Sequence, residues 1–449
     1  MFENIIAQNQ VINQLKSDIE SGKLPPSVLF SGPEYAGKGT AALELARVLG
    51  CENETKRGSW NCPCPSCVRH RHLVSPDLLV LGRRRFFEET AASSGAFLRA
   101  MENEGGRMLF LRSVRKLLVR FNSVLWEDDP KLGKLKNQID VLEEELEDIE
   151  TTQSAENTDL ENKSIIEKSA IEKKCEAVAK KAAKLQADGL GELIPIAQIR
   201  RAAYWSRLAP LGRHKCIIME NAENMQEGAK NSLLKILEEP PPHLSIILTS
   251  SRPNSLLPTM LSRLREYHFV KRNAASEKEV ISRIFREPNA EASSIDAYLA
   301  SFLPVKNDTL YVLGAFFAAS VAAETVRESR AKGVATPAVI IDLGKFATRI
   351  SETGGMGRPA ANVKDALQKV ISTAEQFEIP GLFARFLRQC SALISAWLRD
   401  DSAVSSEKTT ATELWRGQLN QAMAENDVYN ISPPMALERL FEALKTGMV

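Results

Sequence analysis

The chain has 449 residues, 44% of them hydrophobic and 26% charged, with a formal net charge of +1. That length exceeds what one hydrophobic core serves, so two or three domains are expected. Near-neutrality excludes a free-standing nucleic-acid binder held by its own basic field, so any DNA is met through local contacts or inside an assembly. We see no run of about 18 apolar residues and expect no membrane span. The opening MFENIIAQNQ lacks the basic-then-apolar pattern of a signal peptide.

In chain order, residues 10–20 have a helical pattern. Ser27–Ser31 is a short apolar strand running into Gly-Pro, and Ala41–Leu49 is a helix. Strand, glycine-containing loop and helix in that order open a nucleotide-binding α/β unit. Four of the seven cysteines fall between Cys51 and Cys67, which points to a metal in a reducing cytosol rather than a disulfide framework. Leu78–Leu81, Cys216–Met219 and Ser245–Thr249 are further strands, continuous apolar runs of the kind that parallel strands buried on both faces show. Between the last two, Glu227–Glu239 is a helix stopped by Pro240-Pro241-Pro242.

Residues from about 83 to 190 interrupt this alternation. Leu132, Leu135, Ile139, Leu142, Leu146 and Ile149 form one heptad stripe, and Ile171, Cys175, Val178, Ala182 and Leu185 form another. The polar stretch Thr151–Ser164 separates them, so an antiparallel helical hairpin packed on itself is expected, with a partner-binding arm as the alternative. Beyond Lys271 the pattern is helical throughout: Glu277–Phe285, Leu310–Val326, Val363–Phe377, Leu382–Leu398 and Ala411–Asn426. Gly333 and Pro337 mark a boundary between a small helical domain and a C-terminal one.

Gly32-Pro33-Glu34-Tyr35-Ala36-Gly37-Lys38-Gly39-Thr40 carries G-x-x-x-x-G-K between strand and helix. Its backbone N–H groups and helix N-terminus suit a polyphosphate, and Lys38 would reach the terminal phosphates. The next position should offer a Ser or Thr hydroxyl to magnesium but is Gly39, and Thr40 points roughly 100° away on a helix. Working ATPases of this type end the later strand with Asp-Glu, whereas here it ends with Glu220-Asn221. Asn221 cannot act as a base, and Glu220 is one methylene too long for the usual magnesium geometry. Two lesions in one site argue against hydrolysis and leave binding without turnover open.

Three further stretches are distinctive: Phe2-Glu3-Asn4-Ile5-Ile6-Ala7-Gln8, Ile194-Pro195-Ile196-Ala197-Gln198-Ile199-Arg200, and above all Asn231-Ser232-Leu233-Leu234-Lys235-Ile236-Leu237-Glu238-Glu239-Pro240-Pro241. On these the chain, from Phe2 to about Phe269 with a break at the interrupting segment, resembles the bacterial DNA polymerase III clamp-loader family of AAA+ proteins. Thr249 falls at the sensor-1 position, and Leu261-Ser262-Arg263-Leu264 resembles the Ser-Arg-Cys motif. The resemblance implies that Arg263 acts in trans as an arginine finger, against the plainer reading of a helix-capping arginine. Intact Ser-Arg beside a poor nucleotide site is the pattern of the family's delta-prime type, a non-hydrolysing stator. A motor subunit with Thr40 and Glu220 rescuing magnesium is the alternative, and an unrelated P-loop regulator with a coiled-coil arm is more distant.

The implied fold is an α/β AAA+ domain (1–272) holding the cysteine cluster (51–67) and the insertion, a helical lid (273–334) and a helical collar (335–449). Leu382–Leu398 and Ala436–Leu444 are available to the collar. The implied partners are gamma/tau and delta subunits in a hetero-pentamer, the sliding clamp and primed DNA, in the cytoplasm, with no membrane. The family also has a four-cysteine zinc module, which assigns Cys51, Cys62, Cys64 and Cys67 to structural zinc. Only Pro63 separates Cys62 from Cys64, one residue fewer than in the family. That restricts Cys62 and leaves His70 or His72, a three-ligand remnant or free thiols as alternatives. Cys175, Cys216 and Cys390 are read as core residues.

Overall fold

The structure, a computed structural model, describes residues 1–449 except 56, 102, 152–160, 192, 378–380, 401–405, 428–430 and 448–449. It divides into two compact units, Met1–Phe302 and Leu303–Val449.

The first unit is built on five parallel strands, β1 (Ser27–Ser31), β2 (Leu78–Leu81), β3 (Lys215–Met219), β4 (Leu244–Ser250) and β5 (Arg265–His268). Their order is β2-β3-β4-β1-β5. Every residue of β1 to β4 is buried, which is why they read as unbroken apolar runs. Edge strand β5 was invisible to that criterion, because Tyr267 alone of its four residues is buried. Its helices are α1 (Asn9–Glu20), α2 (Lys38–Gly50), α3 (Pro65–His72), α4 (Phe86–Arg99), α5 (Glu104–Leu118), α6 (Pro130–Thr151), α7 (Glu161–Gly189), α8 (Ile196–Trp205), α9 (Glu227–Glu238), α10 (Pro258–Leu261), α11 (Ala274–Arg283) and α12 (Ile295–Ala300).

Helices α6 and α7 run antiparallel, as the heptads predict. Lys131 Nζ donates to the Gly189 carbonyl at 3.1 Å near one end of the pair, and Lys174 Nζ to Asp148 at 2.8 Å towards the other. The connecting stretch 152–160 lies outside the described residues. The pair does not pack on itself alone. Leu135, Leu142, Leu146, Ile149, Cys175, Val178, Ala182 and Leu185 share one continuous core with Phe97, Phe110 and Val114 of α4 and α5 and with Leu79, Ile217 and Ile246 of the sheet. Glu150, at the end of α6, meets Arg115 of α5 and His72 of α3. The heptad stripes were therefore read correctly as buried faces, but they cover α4 and α5 as well as each other.

The second unit is a helical bundle of α13 (Asn307–Ala331), α14 (Ala338–Thr353), α15 (Val363–Thr373), α16 (Leu382–Arg399), α17 (Ser406–Asp427) and α18 (Pro433–Gly447). The division at Phe302/Leu303 falls inside the stretch 273–334 that the sequence reading assigns to a helical lid. Helices α11 and α12 pack with Ala92 of α4 through Ile281, Phe285, Ile295 and Leu299, while α13 supplies the centre of the C-terminal bundle. Phe317 of α13 meets Phe386 and Phe441 edge-on at 6.0 and 5.6 Å. Among the described residues one helix, α13, is long and apolar enough by length and composition to cross a membrane, although it holds no unbroken run of about 18 apolar residues. Its apolarity is accounted for by burial: Leu310, Leu313, Phe316, Phe317 and Val321 all lie in the bundle core.

Deleting Lys134–Ala187 with a flexible linker is therefore expected to abolish cooperative unfolding of the first unit, because it strips the cover from α4 and α5. Within the full chain, Leu142→Ala should cost about 2–5 kcal/mol, measured by denaturant titration. An unchanged midpoint in both variants would show a hairpin independent of the body.

Candidate nucleotide site and cysteine cluster

The carboxyl ends of β1, β3 and β4 converge on one cavity of about 780 Å³, whose lining includes Gly37, Lys38, Gly39, Thr40, Glu220, Asn221 and Thr249. Gly32, where the loop leaves β1, has φ +132°, and a Cβ there would sit 2.1 Å from the Phe269 carbonyl oxygen, so only glycine fits. Gly37, at φ +98°, turns the chain into α2. Lys38 folds back, its Nζ donating to the carbonyls of Gly32 and Pro33 at 2.6 Å each. Burial pushes this amine down to about 8 against the pull of the carboxylates of Glu223, Glu34 and Glu220. The structure thus gathers the residues expected of a phosphate site.

Those residues do not fit a magnesium ion. Where a side chain at position 39 would begin, the Glu220 carboxylate lies 2.4 Å away and an Arg84 nitrogen 3.4 Å away. Glu220 is bracketed by Arg84, at 3.3 Å, and by Arg120. Burial alone would raise its carboxyl, but Arg84 and Arg120, helped by Lys116, outweigh that and hold it below the ordinary carboxylate range. Its charge is already answered by protein cations. Asn221 is equally committed. It adopts φ +52°, a left-handed conformation that Asn tolerates. Its amide donates to the Arg83 carbonyl at 2.8 Å, and its backbone N–H donates to the Thr249 hydroxyl at 3.2 Å. Thr40 is exposed on the first turn of α2.

The sequence reading missed the cations. Arg112, Lys116 and Arg120 recur at i, i+4 and i+8 along α5 and the turn that follows it, one basic line on a helix face. Arg84 follows β2. Glu89 of α4 pairs with both Arg84 and Lys116, and Arg84 with Arg120 and Lys116 lowers its carboxyl, against burial, to about 2. The spacing was legible, but its direction was not, because it lies in α5 and the turn after it and not in the phosphate-loop motif. Arg272 closes the loop from the other side, donating to the carbonyls of Ile6 and Tyr35.

Cys51, Cys62, Cys64 and Cys67 bring their sulfurs within 4.8 Å of one another. Cys51 and Cys62 Sγ are 3.7 Å apart, close to the edge of about 3.8 Å that a tetrahedron with Zn–S bonds of about 2.3 Å requires. Cys62 joins the cluster despite the short spacing, because α3 begins at Pro65 and its first turn carries Cys67 back towards the others. His70 faces Ser75 and His72 faces Glu150, so neither joins it. Against burial, which raises it, the N–H groups of Cys67 and Glu52 lower the Cys64 thiol to about 7. Beneath the cluster Arg47 of α2, 1% exposed, donates to Cys67 Sγ at 3.2 Å, to the carbonyls of Gly58 and Ser59, and to both carboxylate oxygens of Glu44. Cys175, Cys216 and Cys390 are buried and form no part of the cluster.

Arg263 lies outside the cavity lining, exposed at the end of α10. Its guanidinium donates to the Thr259 carbonyl at 2.6 Å and to Glu238 at 2.7 Å.

A family model described as DNA polymerase III, delta subunit, matches residues 7–124 and 133–273, more than half of the chain. A DNA polymerase III subunit delta' from Pseudomonas aeruginosa is 34% identical over 126 residues, 28% of this chain and 35% of that protein. A DNA polymerase III subunit gamma/tau from Mycobacterium bovis is 31% identical over 87 residues, 19% of this chain and 15% of that protein. The chain therefore spans about a third of the first relative and less of the second. A solved DNA polymerase III gamma subunit-related protein from Thermotoga maritima is 18% identical over 58% of this chain and 81% of its own, with a TM-score of 0.29.

Arg47 ties the cysteine loop to the helix that carries Lys38. Arg47→Met strands buried Glu44 and should cost about 3–5 kcal/mol, read by thermal unfolding. Adding Glu44→Gln should recover part of the loss, and a single variant as stable as the parent would contradict this coupling.

Proposed function

The chain belongs to the family described as DNA polymerase III, delta subunit, and on that footing we propose that it is a delta-prime-type stator of the loader that places a sliding clamp on primed DNA. The observation that carries this reading is the occupied metal position: Gly39 offers no hydroxyl, Glu220 is held by Arg84 and Arg120, and Asn221 is spent on backbone contacts. Such a site has no group to hold magnesium or to polarise an attacking water. The same chain keeps an exposed Arg263 on a surface outside its own cavity, which suits action on a neighbour's ATP. In this reading Arg263 leaves Glu238 to reach that phosphate, and gamma/tau and delta subunits are its companions in the cytoplasm. The Leu303–Val449 bundle acts as the collar. The four cysteines hold one structural zinc, which contributes folding energy and takes no part in a reaction.

The gamma/tau relatives favour a second reading, an ATP-hydrolysing motor, which would need Thr40 to supply the missing hydroxyl. ATP turnover separates the two. The isolated chain is expected at background, whereas turnover near roughly 1 s⁻¹ that disappears in Lys38→Ala would establish the motor.

In the reconstituted loader, Arg263→Ala should leave assembly intact and lower ATPase in part, because a finger supplies about 10³–10⁵ at one site among several. Clamp loading should fall further. Wild-type rates in a normally assembled complex would refute the finger. Elemental analysis should find about one zinc per chain, reduced in Cys62→Ser, while protein prepared without chelator and free of zinc would refute the metal reading.

A further inference from the structure

The cations beside the phosphate loop outnumber the carboxylates that answer them. Arg84, Lys116 and Arg120 share Glu89 and Glu220, and Lys38 faces only backbone carbonyls through its hydrogen bonds. Arg112, one turn before Lys116, donates to the carbonyls of His70 and Arg71 and forms no ion pair among the described residues. Around the whole cavity nine basic side chains stand against five acidic ones. Burying like charges together is costly unless a counter-charge arrives.

A P-loop normally meets that need with a polyphosphate whose own excess charge is shared with Mg²⁺. Here the room beside Gly39 is filled by Glu220 and Arg84, and a divalent cation entering it would meet two guanidinium groups already fixed on the same carboxylate. We infer that this cavity binds the polyphosphate of a nucleotide without a divalent metal, with Arg84 and Lys116 carrying the charge-neutralising role beside Lys38. The fixed, always-charged guanidinium suits this role, since it grips phosphate oxygens through paired N–H groups. Burial also pushes Lys38 down to about 8 and Arg112 to about 10, so both gain from an incoming anion. The inference does not rest on the trans action of Arg263, which lies outside this cavity.

The test is ATP binding to the full chain by isothermal titration calorimetry, once with magnesium and once with EDTA. The expected result is equal or tighter binding in EDTA, with inorganic tripolyphosphate competing. Arg84→Gln, whose side chain is 27% exposed and which leaves Arg120 on Glu220, should weaken binding in EDTA about tenfold or more, the loss of one charged hydrogen bond. Glu220→Gln, which frees both guanidinium groups and removes a repelling charge, should tighten it. Binding seen only with magnesium, no binding in either buffer, or tripolyphosphate that fails to compete would each overturn the inference. An Arg84→Gln protein that binds as tightly as the parent would do the same.

Discussion

The carboxylate of Glu220 leaves the end of β3 into a space where water is scarce and two guanidinium groups meet it, Arg84 from the end of β2 and Arg120 from the turn after α5. A buried charge so placed persists only with partners at hydrogen-bond distance. Those partners come from opposite ends of the segment between β2 and α6. One contact therefore ties α4 and α5 to the sheet, sets the basic line of α5 beside the glycine-rich loop, and fills the space beside Gly39. Arg120 is secured further by its bond to the Gly82 carbonyl and by the Phe86 ring, 4.6 Å from its guanidinium carbon.

Helices α6 and α7 consequently reach the walls of the candidate site. They share the core of the sheet, and Gln186 of α7 donates to the Arg84 carbonyl at 3.2 Å. A change in the packing of α6 and α7 would thus be felt at Arg84 through a rigid, close-packed interior. On the other flank α2 links the phosphate loop to the cysteine cluster: Lys38 stands at its start, Glu44 accepts the Phe2 N–H at 3.2 Å, and Arg47 lies under Cys67. The N-terminal segment returns to β5 through Gln8, which exchanges two hydrogen bonds with Val270 at 2.8 and 3.0 Å. These ties leave the loop little freedom of its own.

Much of this was legible in the residues. Unbroken apolar runs announced β1 to β4 because strands buried on both faces have no polar side to show. The P-loop, its missing hydroxyl and the cysteine cluster were read from local spacing, since backbone conformation and ligand reach are set within a few residues. Strand β5 escaped because an edge strand with a single buried residue carries no apolar run.

What the sequence by itself determined was chemistry local to a motif: a glycine-rich turn between strand and helix, an asparagine unable to act as a base, and four cysteines crowded into 17 positions, whose meeting through Cys62 only the structure decided. What only the tertiary structure decided was which distant groups meet those motifs. Arg84 and Arg120 lie 136 and 100 residues from Glu220, and nothing in their neighbourhoods specifies that partner. The helical period put Arg112, Lys116 and Arg120 on one face, but a face has no direction until a core beneath it is packed. The packing of α4 to α7 on the sheet supplied that direction, and so placed Arg112 and Lys116 in the wall of the cavity beside Lys38.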